Sequence, residues 1–388
     1  MFPEAFFSLK VLMVLSGPVG IIAGTDARIR GICEGLRNLH VQVKVVVPSR
    51  AAPMQRSTAY ARPFFRGRMP LARLWSPLLS SWTALLLKGE VLRAIDSFTP
   101  DVIQLEQDTA GLIAPQLRKR IDVPIIMDFH GMKREESIAE GTLSPNSFFD
   151  DWLTKRTKSI IKSVDYVTVV SEEMRRYVLE HYGGEESKVR VVPNAAIPRL
   201  ESRPFKERTN RIVYAGTVHS IENITLLAEA LIYAWNRDPG LDIHVSNRGD
   251  SFQYLRSQLA RARIRANYEW VSEDHFLSYL SESDVGLIPS LNHKWRQMGT
   301  PAKLFEYLSA GVPVVATDIG ASWNRIIEEN KVGFLTENSP EAFGKAILEL
   351  SRNPELVHEF GNRAISLVRR ELNYNASALK LLDLYAER

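Results

Sequence analysis

The stretch "DVGLIPSLNHKWRQMGTPAKLFEYLSAGVPVVATD", residues 284–318, decides the fold. Asp284–Ser290 and Val312–Ala316 are short apolar runs bounded by polar residues and prolines, and they read as buried strands. Between them, residues 301–310 carry apolar side chains at helical spacing. Thr300 suits the cap of that helix, Pro301 its first position and Gly311 its end. Strand, helix and strand in one run make a crossover unit of a parallel sheet, which needs helices on both faces. The charges are harder to place. Lys303 falls in the first helical turn, where the helix dipole disfavours a cation, and Glu306 follows one turn on among Leu304, Phe305, Tyr307 and Leu308.

Outward from this unit, the same alternation fills the chain. In the first half, 10–16, 41–49, 101–107, 124–130, 165–171 and 188–194 read as strands. Residues 26–39, 111–121 and 172–183 read as helices between them. The pattern restarts at Arg211, with strands at 211–217, 241–247, 268–272, 284–290, 313–318 and 332–337. The proline-rich join near 193–204 has no periodicity and reads as a hinge. The expected architecture is α/β, with two Rossmann-like, doubly wound parallel-sheet domains facing a cleft. They span 1–198 and 199–370, and a C-terminal helix at 371–388 packs back toward the first. Ligands of such sheets bind beyond the carboxyl ends of the strands. The residues to watch are therefore His130-Gly131, Ser171, Gly216-Thr217, Asn247-Arg248 and everything from Ser290 to the helix at Lys303.

With 388 residues, 45% of them apolar and 24% charged, the chain is long enough for two cores. The single cysteine, Cys33, excludes a disulfide framework or a thiolate metal cluster, which fits a reducing compartment. The N-terminus has no basic start and Lys10 interrupts its apolar run, so it does not read as a signal peptide. No apolar run is long enough to span a bilayer. The expected location is cytoplasmic, with peripheral contact to a membrane as an option. Residues 1–198 carry a net charge of +5 and the remainder −1. Residues 46–89 contain no acid but hold Arg50, Arg56, Arg62, Arg66, Arg68, Arg73 and Lys88, interleaved with Phe64, Phe65, Trp75 and Trp82. Such a segment either meets anionic lipid or an anionic acceptor, or is a solvated basic loop leading into a core helix. Nothing points to nucleic acid.

Absences narrow the chemistry. There is no GxGxxG after a strand, no P-loop, no HExxH and no GxSxG elbow. No Asp-x-Asp pair stands ready to hold a metal against a diphosphate, so no metal site is expected. What is present resembles, in order, the GT-B glycosyltransferases, in particular the retaining group 1 type. Gly24-Thr25-Asp26-Ala27-Arg28 resembles the family's first loop, and Asp128-Phe129-His130-Gly131 its His-Gly element. Asp165–Ser171 and Val192-Pro193-Asn194 resemble the end of its first domain. Ile212–Thr217 resembles the opening of the second. Asp284–Ser290, Pro301-x-Lys303-x-x-Glu306-Tyr307 and Gly311–Ala316 form the most specific block. The sequence also departs from the family. The Arg expected after Gly216 is Thr217, no Lys stands near Asn223, and the first of the paired glutamates is Met298.

The resemblance implies a nucleotide-diphospho-sugar as co-substrate, a hydroxyl acceptor on the first domain, and no other cofactor. Lys303 would then meet phosphate, which the N–H groups of a helix start also favour. Glu306 would accept hydrogen bonds from the ribose diol. The plain alternative is an i,i+3 ion pair between the two, worth a few tenths of a kcal/mol. His130 would touch the donor sugar. Gly216, Thr217, His219, Arg248, Lys294, Arg296 and Pro301 are further donor-side candidates, and Gly24 and Arg28 acceptor-side ones. For His219 and Arg28, solvated surface positions are equal alternatives, and Trp270 reads more as a packed aromatic than as a frame for a base. A nucleotide-sugar epimerase of the same fold and a non-catalytic binding protein are the rival functions.

Overall fold

A computed structural model describes residues 9–17, 23–48 and 70–387, without the side chains of 23–26, 70–81 and 273–274. The chain divides into two units, Met1–Asn194 with Tyr374–Arg388, and Ala195–Asn373.

The first unit holds a six-stranded parallel sheet. Its strands are β1 (Lys10–Leu15), β2 (Gln42–Val46), β3 (Val102–Glu106), β4 (Ile125–Phe129), β5 (Tyr166–Val169) and β6 (Val189–Val191), in the order β2-β1-β3-β4-β5-β6. β3 and β4 are buried along their whole length, as runs such as VIQLE and IIMDF require. The register sets Glu106 of β3 beside Asp128 of β4, and Asp128 beside Thr168 of β5. Three polar residues thus form a row at the carboxyl ends of the central strands.

The helix Tyr374–Ala386 belongs to this unit and packs on the helix Ala23–Asn38. Gly31 makes the contact possible, since a Cβ there would stand 2.0 Å from the Tyr374 ring. Where one helix was expected over 111–121 there are two short ones, Gln107–Gly111 and Ala114–Leu117, because Pro115 cannot continue a helix and instead starts a new one. In the helix Pro70–Phe98, Trp82 and Leu85 are 57% and 60% exposed. Arg50, Arg56, Arg62, Arg66 and Arg68 of the acid-free segment, and the side chain of Arg73, lie outside the described residues.

The second unit repeats the plan with β7 (Arg211–Tyr214), β8 (Asp242–Ser246), β9 (Ala266–Glu269), β10 (Val285–Ile288), β11 (Val314–Thr317) and β12 (Gly333–Thr336), in the order β12-β11-β10-β7-β8-β9. Two buried apolar clusters cover the sheet. β9 ends at Glu269, so Trp270 leaves the sheet and is 37% exposed. The decisive helix runs Ala302–Ser309 with Pro301 at its N-cap, one residue later than the capping pattern predicts. Its end is as expected: Gly311 takes φ +66, its N–H donates to Leu308 (3.1 Å), and that of Val312 to Tyr307 (2.9 Å).

The proline-rich join is tied down at both sides. Asn194 accepts from Arg28 in the first unit (3.0 Å). In the second, the Ala196 N–H donates to Leu372 (2.9 Å). Arg203 is buried and donates to Gly311 O, Ser283 O and Asp284. The units therefore divide at 194/195 and 373/374, where the sequence pattern had set 198/199 and 370/371.

Candidate functional site

In the second unit, the site is assembled from the loops that follow β7 and β10. Tyr214, the last residue of β7, is fully buried. The chain then turns at Gly216, whose φ of +92 suits glycine. The turn is pinned from beneath by Tyr307, whose hydroxyl accepts from the Ala215 N–H (2.8 Å). It is also pinned at Thr217, whose carbonyl accepts from the Tyr214 hydroxyl (3.2 Å). Glu222 follows on the same loop. Asn223 caps the helix Ile224–Trp235, accepting from Leu226 N (3.2 Å), while its own N–H donates to Pro289 after β10 (3.0 Å).

Lys303 reaches across to this loop. Its ammonium donates to the Tyr214 hydroxyl (3.0 Å) and to Glu222 Oε1 (3.2 Å), and it lies 4.2 Å from the centre of the Tyr214 ring. Arg296, from the short helix Lys294–Met298, forms an ion pair with the same oxygen. The carboxylate that compensates a lysine at this helix start is thus Glu222, 81 residues upstream. Burial would raise the Glu222 carboxyl, but Arg296 and Lys303 outweigh it and hold it below the usual carboxylate range. Glu306 lies one turn further along the helix and is half-buried, and Lys294 is exposed.

The remaining donor-side candidates form an outer arm. The Val218 N–H donates to Arg248 O (2.8 Å), stitching the loop after β7 to the one after β8. His219 Nε2 stands 3.8 Å from Asp250, and the Arg248 guanidinium stacks 4.1 Å from the Trp270 ring. Arg248 and Trp270 are both exposed residues.

In the first unit, Arg28 is not a solvated helix charge but a buried clamp. Its guanidinium forks onto both oxygens of Asp128 (2.9 and 3.0 Å). It also donates to Val192 O, Pro193 O and Asn194. The Arg28 charge outweighs burial and holds the Asp128 carboxyl at about 2. Gly24 lies at the start of the same helix. His130 follows β4 with its side chain 5% exposed; Nε2 is 3.4 Å from Glu106 Oε2, and Nδ1 is 2.8 Å from the Gln107 amide. Glu106 is buried, which raises its carboxyl, and its other oxygen accepts from Gln104 (2.7 Å), itself bonded by Tyr385 of the C-terminal helix. Gln107 holds φ +66, uncommon for a residue other than glycine. Glu106, Asp128 and His130 bring one ligand atom each within 4.8 Å of one another, but both Asp128 oxygens are committed to Arg28 and one also to Thr168. A cation there would compete with a guanidinium.

The structure thus gathers Lys303, Arg296, Gly216 and Thr217 around Tyr214 and Glu222, with Pro301 at the neighbouring helix start. His219 and Arg248 sit one loop away. In the other unit, His130 joins Glu106 and Gln107, and Arg28 joins Asp128. Glu222, Tyr214, Glu106 and Gln107 are the residues that sequence reasoning misses. Glu222 stands immediately before Asn223, where the family pattern calls for a lysine, so the acid at that place was the available signal.

Comparison with known proteins adds the family. Residues 23–195 match the model described as "Glycosyl transferase 4-like domain", and 209–353 the one described as "Glycosyl transferases group 1". The D-inositol 3-phosphate glycosyltransferase of Corynebacterium glutamicum is 20% identical over 75% of this chain and 73% of its own length. Other curated relatives are matched over 21% to 73% of their own length. Among solved structures, sucrose-phosphate synthase from Thermosynechococcus elongatus superposes with a TM-score of 0.73 at 15% identity, covering 97% of this chain and 98% of that one. Anabaena Alr3699/HepE in complex with UDP and glucose gives 0.68 at 12% identity, covering 98% and 100%.

Proposed function

Because this chain belongs to the group 1 glycosyltransferases of the GT-B fold, we propose that it moves a sugar from a nucleotide-diphospho-sugar to a hydroxyl acceptor, with retention and without a metal. The observation that carries this reading is the pair of cations, Lys303 and Arg296, held beside the glycine turn that follows β7. That is the carboxyl end of a parallel sheet, where such folds take phosphorylated ligands. A structural neighbour that holds UDP and glucose supports a nucleotide sugar as donor.

In this reading the diphosphate lies over Lys303 at the start of the helix Ala302–Ser309. Pro301 leaves no side-chain cap there, so backbone N–H groups add to the ammonium. As the bond from the anomeric carbon to the phosphate oxygen breaks, its electron pair stays on that oxygen. Lys303 and Arg296 then stabilise the growing charge in place of a metal. In the retaining course that oxygen takes the proton of the attacking hydroxyl, so no protein base is needed. Glu306 holds the ribose diol, and Gly216-Thr217 let the backbone approach the phosphates. His219, Arg248 and Lys294 supply the rim, and His130 meets the donor sugar. The acceptor lies on the first unit, with Gly24 near it and Arg28 as support. Peripheral contact of residues 46–89 with anionic lipid on the cytoplasmic side completes the proposal. Among the described residues no helix is long and apolar enough to cross a membrane.

The test is incubation with a panel of nucleotide sugars, following nucleotide release with and without added hydroxyl acceptors. Release that depends on acceptor and yields a product of retained anomeric configuration supports the proposal. Isomerised sugar without transfer would make the protein an epimerase, and tight nucleotide binding without turnover would make it a binding protein. Activity that chelators abolish and divalent metal restores would remove the metal-free part.

A further inference from the structure

Glu222 is the least expected component of the site. It is 7% exposed, and its Oε1 takes both the Lys303 ammonium and the Arg296 guanidinium. Its backbone is tied in place. The loop that carries it is joined to the end of β10 by the Asn223 N–H to Pro289 bond and by the bridge between Glu222 and Ser290. These contacts hold the backbone of Glu222 beside the two cations, and its carboxylate is kept there by the ion pairs with Lys303 and Arg296.

The arrangement is incompletely matched. An ammonium and a guanidinium together offer eight N–H donors. Against them stand one shared carboxylate oxygen and the Tyr214 hydroxyl. Buried atoms go unmatched: Arg296 Nε, Glu222 Oε2 and Ser290 Oγ have no hydrogen-bond partner. A purely structural ion cluster matches its donors, since each orphan in a buried site carries a free-energy cost. There is room for a further group as well. A Cβ placed on Gly216 would meet nothing nearer than Lys303 Cε at 4.0 Å. Two cations and one carboxylate leave one positive charge, with Lys303 bordering that space and the Arg296 Nε–H unspent.

We infer that Glu222 sets the strength of the phosphate site: it shares Lys303 and Arg296 with the ligand diphosphate and so keeps affinity for that anion low. This rests on the donor-site reading above. The product nucleoside diphosphate carries more negative charge than the sugar-linked donor, so two bare cations would retain it. An internal carboxylate repels it and favours release. Glu222 is a specificity- and affinity-determining residue here, not a catalytic one.

The experiment is calorimetric titration with inorganic pyrophosphate, which is independent of the unknown base, on wild type, Glu222→Gln, Glu222→Asp and Lys303→Ala. Glu222→Gln should bind pyrophosphate on the order of tenfold or more tightly, because one neighbouring like charge is removed from a buried site. Glu222→Asp keeps the charge and should stay within about threefold of wild type. Pyrophosphate should also raise the melting temperature of Glu222→Gln more than that of wild type. If the Gln variant does not fold, Glu222→Ser leaves room for water over the cations and carries the same expectation. Wild-type binding that Lys303→Ala loses, with neither uncharged variant binding more tightly, overturns the inference and leaves the donor site standing. No binding by wild type or by any variant overturns both.

Discussion

Arg28 on Asp128 in the first unit and Arg296 with Lys303 on Glu222 in the second are made of the same materials. Each buries a carboxylate against cations at the carboxyl end of a parallel sheet. They differ in completeness. All five N–H donors of Arg28 have acceptors, and one positive charge meets one negative. Around Glu222 two positive charges meet one negative, and a guanidinium N–H is left over. A complete cluster has nothing to offer a ligand and serves as a clamp. An incomplete one stores unspent donors, which is what an anion site requires. Motif position alone cannot tell these apart, because both lie in stretches that resemble the same family.

The comparison is broken most forcefully at Arg28. Arg28→Met leaves Asp128 buried without its partner, which should cost about 3–5 kcal/mol and lower the melting temperature by roughly 10 °C. A shift below about 3 °C would show that Arg28 is not the clamp. Lys303→Ala should do the opposite, leaving the melt within a few degrees while kcat falls on the order of 10²–10³, the range for one lost oxyanion contact. Turnover within about threefold of wild type would place the phosphate elsewhere.

The clamp also has a pH signature. Asp128 is held at about 2, below its unfolded value. Its stabilisation, about 2 kcal/mol, is therefore complete above roughly pH 4 and lost as pH falls toward 2. The stability gap between wild type and Arg28→Met, from urea denaturation, should narrow over that window. A gap that stays constant from pH 5 to 2 counts against the assignment. Glu106 works in the other sense, since its raised carboxyl favours the fold at low pH and loses that share as pH rises. The smallest effect belongs to the exposed arm. Arg248→Ala removes a cation–π pair worth about 0.5–1 kcal/mol and should raise donor KM a few-fold with kcat unchanged. A tenfold loss of kcat would move Arg248 in among the buried cations.

The fold was legible because it is written in local periodicity. Runs such as VIQLE, IIMDF and DVGLIPS can only be strands buried on both faces, and Gly311 ends its helix by a rule of backbone geometry. Lys303 was legible because it breaks a rule, standing at the wrong end of a helix. Its partner was not, because Glu222 is set beside it by tertiary packing across 81 residues. The network from Tyr385 through Gln104 and Glu106 toward His130 was hidden for the same reason: its members come from opposite ends of the chain. Arg28 and Trp270 show the converse. A charged residue on a helix usually faces water and a tryptophan after a strand usually packs in the core, but Arg28 is buried and Trp270 stands partly exposed against Arg248.

The helix Tyr374–Ala386 has a consequence for how the molecule is made. The first unit leaves its helix Ala23–Asn38 with a glycine-lined furrow, and Gln104 without Tyr385, until residues 374–386 arrive. Those residues emerge from the ribosome only after the whole of Ala195–Asn373. At 5–20 residues per second that delay is on the order of ten to forty seconds. The second unit, continuous in sequence, is free to fold during it. The order of completion is thus reversed with respect to the order of synthesis, and the furrow on the helix Ala23–Asn38 stays uncovered through that interval.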